Sequence, residues 1–166
     1  MLIKDNQLQE GARLRSMESK FKKRPEQYHD YATSIESYMK KGFAEPVSKE
    51  ELDKHRGTTF YLMHHGVRHP RKPKIRVVFN AAAEYRGVSL NGLIHECPDL
   101  LESIVGILLR FRHGTVAVAA DIDAFFHAVE TTPEDRDRHR FLWFADPEMT
   151  RIVVYRMVRL IFGGIA

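Results

Sequence analysis

The segment from Val116 to Phe126 constrains the fold most, because an apolar run of small residues there ends in a carboxylate. It reads Val-Ala-Val-Ala-Ala-Asp-Ile-Asp-Ala-Phe-Phe. Such a run predicts a strand buried on both faces, with Asp121 at its end. A buried carboxylate is costly unless another charge or a metal ion compensates it. Taken by itself, the segment also fits a strand that ends in a capping or turn Asp.

Composition indicates a folded chain and limits its chemistry. The chain has 166 residues, of which 43% are hydrophobic and 29% charged, so we expect one domain or part of one. Its net charge of +4 is compatible with a polyanionic partner without requiring one. The single Cys97 excludes an intrachain disulfide and fits a reducing compartment. With no apolar run long enough for a membrane span or a signal peptide, we expect an intracellular protein that is not secreted.

Two helices are predicted in the first 57 residues. Residues 5–23 are polar and basic with a thin apolar stripe, which favours a solvated helix. A second helix begins at Pro25 and stops at Gly42, and two lysines near its end suit the helix dipole, Lys40 and Lys41. We expect the core to include its three tyrosines, which keep helical spacing: Tyr28, Tyr31 and Tyr38.

From residue 58 onward the pattern changes mainly to strands. It predicts, in order, a strand over 59–65, a basic turn that includes Gly66, a strand over 74–79, an apolar helix over 100–111, the buried strand beginning at 116, a short helix from 133, and a hairpin of strands over 141–144 and 152–158. Helices followed by strands and mixed elements predict the α+β class.

Several sequence blocks occur along the chain in one order. They are Met39-Lys-Lys-Gly-Phe-Ala-Glu-Pro46, Phe60-Tyr-Leu-Met-His-His65, Lys74-Ile-Arg-Val-Val-Phe-Asn80, Ser89-Leu-Asn-Gly92, Ile107-Leu-Leu-Arg-Phe-Arg112, Ala120-Asp-Ile-x-x-x-Phe126, Arg136-Asp-Arg-His-Arg-Phe-Leu-Trp143 and Phe162-Gly163. This series, over residues 24–163, resembles the reverse transcriptase of BEL/Pao-type retrotransposons. The chain departs from the family at Asn80 and Ala82, where Asp and Ser are usual, and at Cys97, where Gly is common.

The resemblance implies part of a right-hand polymerase, with residues 1–57 as a helical lead-in and 58–166 as the fingers and a partial palm. The parent protein would be an RNA-directed DNA polymerase that uses Mg²⁺ or Mn²⁺, deoxynucleoside triphosphates and an RNA or DNA template-primer. It would work in the cytoplasm or in virus-like particles.

The family carries two further catalytic carboxylates in a Tyr-x-Asp-Asp hairpin, and no such sequence occurs in these 166 residues. The chain also ends on an apolar stretch after a Gly-Gly pair. We therefore expect a fragment truncated before this hairpin. It would be inactive by itself and would act together with the remainder of a Pol polyprotein.

The resemblance assigns the metal site and the sugar contact. Asp121 would be the catalytic metal ligand, and the backbone carbonyl of Ile122 would add another oxygen. Phe126 would exclude a ribose 2′-OH by steric contact, although its neighbour Phe125 is the alternative and core packing is possible for either ring. Asp123 is better explained as a solvated or helix-starting residue.

The resemblance also assigns contacts to phosphate and base. Lys74 and Arg76 alternate along a strand, so they share one face, and in the family that face grips the triphosphate. Gly163 would let the backbone approach the nucleotide base. Template phosphates would be contacted by the basic turn, through Arg68, Arg71 and Lys72. Solvated strand and turn residues remain the alternative for these cations.

Two other interpretations stay open. The chain could be a decayed or repurposed copy that binds nucleic acid without catalysis. It could also be an unrelated small α+β domain, in which Asp121, Lys74 and Arg76 would not face a common cleft.

Overall fold

The computed structural model describes residues 5–54, 59–68, 70, 74–94 and 101–163. The helices are α1 (Gln7–Lys23), α2 (Pro25–Lys40), α3 (Lys49–Lys54), α4 (Ile104–Phe111) and α5 (Phe125–Ala128). The strands are β1 (Ala44–Pro46), β2 (Met63–Arg68), β3 (Ile75–Asn80), β4 (Arg140–Phe144) and β5 (Ile152–Met157). Short 3₁₀ turns lie at Asn91–Leu93 and Arg136–His139. The α+β class predicted from the sequence is confirmed.

The strands form two antiparallel sheets. One has three strands in the order β1-β5-β4, and the other is the β2–β3 hairpin. Ala44 of β1 lies opposite Met157 of β5, so the predicted lead-in shares a sheet with the later part of the chain. The predicted hairpin of β4 and β5 is present, with Leu142 opposite Val154.

An aromatic cluster joins α1 and α2 to the three-stranded sheet. The Trp143 ring of β4 stacks on Tyr31 of α2, with centroids 4.9 Å apart, and meets Phe21 of α1 edge-on at 6.0 Å. Tyr31 is buried, whereas Tyr28 and Tyr38 are half-buried against the same core. The helical spacing of these tyrosines is thus explained by packing of one helix face on a sheet.

A buried histidine fixes α2 to both sheets. The Tyr31 hydroxyl donates a hydrogen bond to His64 Nδ1 at 2.5 Å, and His64 Nε2 donates to the Leu142 carbonyl at 2.9 Å. A carbonyl can only accept, so Nε2 carries a proton, and in the neutral ring Nδ1 is then the acceptor for the Tyr31 hydroxyl. Burial lowers the pKa of His64 to about 4. His64 is therefore a neutral structural residue at pH 7.

The Arg136–Trp143 block contributes two charged residues to a buried ion network. Arg140, only 1% exposed, donates two hydrogen bonds to one carboxylate oxygen of Asp137, at 3.1 and 3.0 Å. Arg156 of β5 also reaches Asp137, at 3.3 Å, and pairs with Glu45 and Glu51. Buried charges persist when they are paired and hydrogen-bonded in this way. The network joins β1, α3 and both strands of the hairpin.

Gly66 lies inside β2 and not in the turn predicted for it. The strand predicted over 59–65 starts later, at Met63, and continues to Arg68. A Cβ at Gly66 would lie 2.8 Å from Ile75 Cγ2 and 2.9 Å from a ring carbon of Tyr31. Glycine is needed here because the hairpin approaches α2 closely, and that need cannot be distinguished from a turn in the sequence.

The strand predicted from Val116 is wrong. Residues 116–122 have no regular structure, and both Val116 and Val118 are 80% exposed. A strand is stable only when its backbone groups pair with a neighbour, and no strand in the described ranges pairs with these residues.

Helix α4 forms close to its predicted position, but its apolar side chains are exposed as well. We call residues 101–125 the apolar segment.

The short helix predicted from 133 is replaced by a turn and the 3₁₀ turn at Arg136–His139. Thr132 Oγ1 donates to the Asp135 carboxylate at 2.9 Å, and Asp135 N–H bonds to the Thr132 carbonyl. The chain then enters β4 directly, which sets Asp137 beside Arg140.

Candidate functional site

Strand β3 presents one exposed basic face beside α2. Ile75 and Val77 are buried, and Arg76 between them is exposed, as the alternation of a strand requires. Lys74 immediately precedes the strand and is also exposed. Lys74 and Arg76 border one depression of about 320 Å³ between β3 and α2. The predicted sharing of one face by these two cations is observed.

A larger, mainly apolar cavity is also bordered by Arg76. Its volume is about 470 Å³, and it is bordered by the β2–β3 hairpin, α5 and Phe162. Phe126 lines it and meets the Phe162 ring edge-on at 5.3 Å. Phe125 also lines the cavity but is more exposed than Phe126. The fold thus brings Arg76 and Phe126, which are distant in sequence, to the border of one cavity.

His127 anchors helix α5 at the cavity, and the residue before this helix has an unusual backbone angle. Ala124, at the start of this helix, has a φ of +53°, a region that costs a non-glycine residue about 1–3 kcal/mol. His127 Nδ1 donates to the Leu160 carbonyl at 2.9 Å, and its ring lies 4.7 Å from that of Phe43. Burial lowers the pKa of His127, so the imidazole is neutral at pH 7. These features position Phe126 in the cavity wall.

Gly163 packs against the end of β3. Its φ is +99°, and a Cβ there would lie 3.3 Å from the Phe79 carbonyl. Its own carbonyl accepts a hydrogen bond from the Asn91 side chain at 3.2 Å. The turn that follows Phe162 therefore needs glycine at this position, next to the cavity.

Asp121 is exposed, contrary to the buried position predicted for it. Ile122, also exposed, follows it in the irregular part of the apolar segment. Within the described ranges, no group of three His, Cys, Asp or Glu side chains could hold a metal ion. Asp121 is also not among the residues that border the two cavities above, so it does not share a cleft with Lys74 and Arg76, which is the arrangement expected for the alternative of an unrelated α+β domain. The donor set that a pair of Mg²⁺ ions requires is thus not assembled by the described residues.

The basic turn is described in part. Arg68, at the end of β2, forms an ion pair with Asp30 of α2 at 2.7 Å, so part of its charge is compensated within the fold. Arg71 and Lys72 lie outside the described residues, and their template contacts stay predictions.

Sequence reasoning missed one residue of the basic depression. Lys41 borders it together with Lys74 and Arg76. In the sequence, Lys41 is one of two adjacent lysines at a helix end, and the helix dipole explains both equally well. No signal in the sequence separates the lysine that faces β3 from its neighbour.

The chain matches no protein-family model and no curated protein. Among the described residues, no helix combines the length and apolar character that crossing a membrane requires.

Proposed function

We propose that this chain forms the fingers and the first palm segment of a BEL/Pao-type reverse transcriptase, an RNA-directed DNA polymerase. One observation carries the proposal. Arg76 and Phe126, assigned to the triphosphate and the sugar by separate sequence blocks, border the same cavity. The ordered blocks of the sequence support it as well.

The chemistry of the cavity suits an incoming deoxynucleotide. Its walls are mainly aromatic and aliphatic, as a base and a deoxyribose require, and Arg76 stands at its basic side. A guanidinium can bind a phosphate through two parallel hydrogen bonds. A ring at Phe126 close to the sugar would disfavour a 2′-OH by steric contact.

Our proposal gives this chain the role of binding and not of catalysis. In the parent enzyme, Mg²⁺ or Mn²⁺ ions would supply charge stabilisation for nucleotidyl transfer. Asp121 and Ile122 are the family positions for metal contact, but the described donor set does not fit a metal pair, so we assign no step through it. The remaining carboxylates and the bound template-primer would come with the rest of the Pol polyprotein.

The first experiment measures dATP affinity by equilibrium titration. Arg76→Ala should weaken binding by about tenfold, because a charge-assisted contact to phosphate is lost. Arg76→Lys should recover part of the loss, since lysine keeps the charge without the planar fork. Arg112→Ala is the matched control, because it removes an exposed arginine elsewhere, in the apolar segment.

The second experiment compares dATP with ATP, which differ at the 2′ position. Phe126→Ala should reduce the preference for dATP more than it reduces dATP affinity. Phe125→Ala is the control, since Phe125 is the adjacent ring of the same cavity. Equal loss in both variants would reassign Phe126 to packing. A chain that binds template-primer but no deoxynucleotide would favour the alternative of a non-catalytic nucleic-acid-binding remnant.

A further inference from the structure

The depression between α2 and β3 collects three cations. Lys41 borders it just after α2, Lys74 just before β3, and Arg76 within β3. Its other lining residues among those that the structure describes are Ser34, Ser37, Tyr38 and Ile75, so none of the described lining residues is a carboxylate.

Within the described part of the chain these three cations have no carboxylate partner, and Lys41 Nζ lies over the Phe43 ring, 5.7 Å from its centroid. No ion pair there involves Lys41, Lys74 or Arg76. Their neighbours differ, since Lys40 pairs with Glu36 at 3.8 Å and Arg68 pairs with Asp30 at 2.7 Å. Like charges around one concave surface repel each other, and a bound anion would relieve that repulsion.

The hydroxyl groups of the depression are already used as donors. Ser34 donates to the Ile75 carbonyl at 2.8 Å, and Ser37 donates to the Ser34 carbonyl at 2.7 Å. Tyr38 donates to the Val77 carbonyl at 3.3 Å. The bonds from Ser34 and Tyr38 fix α2 against β3 and so hold the three cations at one site. Recognition of an anion would therefore fall to the cations themselves.

The depression and the apolar cavity are neighbours. Tyr38 and Arg76 border both, so they separate an apolar compartment from a basic one. A ligand that fills both has an apolar planar part joined to several negative charges, which describes a nucleoside triphosphate. We infer that Lys41 is a third polyphosphate-binding residue, which acts with Lys74 and Arg76. The identity of the ligand as a nucleotide rests on the proposed function.

Inorganic tripolyphosphate tests the site without the nucleoside. Its dissociation constant is measured by calorimetry for the full chain, Lys41→Ala and Lys40→Ala. Both variants remove one exposed lysine charge from the same helix end, so they share any loss of helix-dipole or general electrostatic attraction. Lys41→Ala should weaken binding at least about fivefold, and Lys40→Ala less than about twofold. Thermal unfolding checks that both variants remain folded.

Equal losses in the two variants, or no tripolyphosphate binding by the unaltered chain, would overturn the inference. A parallel titration with dATP separates it from the proposed function. If Lys41→Ala weakens tripolyphosphate binding but dATP binds no more tightly than tripolyphosphate, the polyphosphate site stands and the nucleotide assignment fails. If dATP binds through Arg76 and Phe126 but Lys41→Ala has no greater effect than Lys40→Ala, the nucleotide assignment stands and the role of Lys41 fails.

Discussion

Four of the five residues of β4 and all five residues from Val116 to Ala120 are apolar, yet the environments of the two segments are opposite. Every residue of β4 is buried, whereas every residue from 116 to 120 is exposed. Strand β4 has β5 on one side and a bridge from Arg140 to Tyr61 on the other. The run at 116 pairs with no strand in the described ranges. Apolar sequence thus becomes a strand only where the fold supplies a hydrogen-bonding neighbour and a covering layer.

The same contrast holds for the helices. Helix α2 covers the sheet with Tyr31 and Ile35, which are almost fully buried. Helix α4 has a more apolar sequence, but its side chains are exposed in the described structure. Stability should therefore reside in a packed region, made of α1, α2 and the five strands, and the apolar segment should contribute little.

The largest expected effect is acid destabilisation of the packed region. Burial lowers the pKa of His64 and of His139 to about 4, below the ordinary value of 6.5. Between pH 6.5 and 4 the unfolded chain binds these protons and the folded chain does not, so stability falls as the pH falls through this window. Each histidine should account for about 3 kcal/mol.

Urea unfolding at a series of pH values measures this loss. His64→Gln should make the dependence between pH 6.5 and 4 shallower, although the variant is less stable at pH 7. An unaltered slope in His64→Gln would show that His64 is not a neutral buried group.

The next largest effect is a difference in the free energy of unfolding between two phenylalanine variants. Phe141 in β4 is 0% exposed and Phe111 in α4 is 46% exposed. Phe141→Ala should lower the free energy of unfolding by about 3–5 kcal/mol, because it leaves a cavity in the core. Phe111→Ala should cost less than about 1 kcal/mol. Chemical denaturation of both variants measures the difference, and similar losses would mean that α4 is packed as tightly as β4.

Substitution by alanine should change the stability in opposite directions at two glycines. An alanine Cβ at Gly66 would clash with Ile75 and Tyr31, so Gly66→Ala should destabilise by about 1–3 kcal/mol. At Gly106, inside α4, the nearest atoms are 3.8 Å away. Gly106→Ala should stabilise by up to about 1 kcal/mol, through helix propensity. The melting temperatures of the two variants measure these stability changes. Destabilisation by Gly106→Ala would show that α4 is tightly packed at this position.

The smallest effect is expected at Val118. A lysine there would remain in water, so Val118→Lys should change stability by less than about 0.5 kcal/mol and should raise solubility. Val154→Lys in β5 is the control, because Val154 is buried and the charge would prevent folding. Static light scattering and denaturation measure both properties. Strong destabilisation by Val118→Lys would contradict the exposure of the apolar segment.

Local patterns predicted much of the packed region. Helical spacing of apolar residues located α1 and α2, and Asp146-Pro147 between two apolar runs located the β4–β5 hairpin. Strand alternation also predicted that Lys74 and Arg76 share a face. These features depend on spacing within one element, which the sequence states directly.

The rest depends on contacts between distant residues. Whether residues 116–120 form a strand depends on neighbouring strands, and these cannot be identified from the composition of the run itself. Arg140 belongs to a charged block in the sequence, and besides its local partner Asp137 it contacts the Glu51 carbonyl, 89 residues away in the sequence. Lys41 joins the basic depression because α2 ends beside β3.

The sheet order β1-β5-β4 has a consequence for synthesis on the ribosome. Strand β1 is complete at Pro46, but its partner β5 begins at Ile152. At a typical elongation rate, roughly 5–20 s separate the emergence of the two strands. During that interval Tyr31 and Phe21 lack the Trp143 ring that covers them in the finished fold. A nascent chain of this kind offers a binding site for a chaperone until the last strand has emerged.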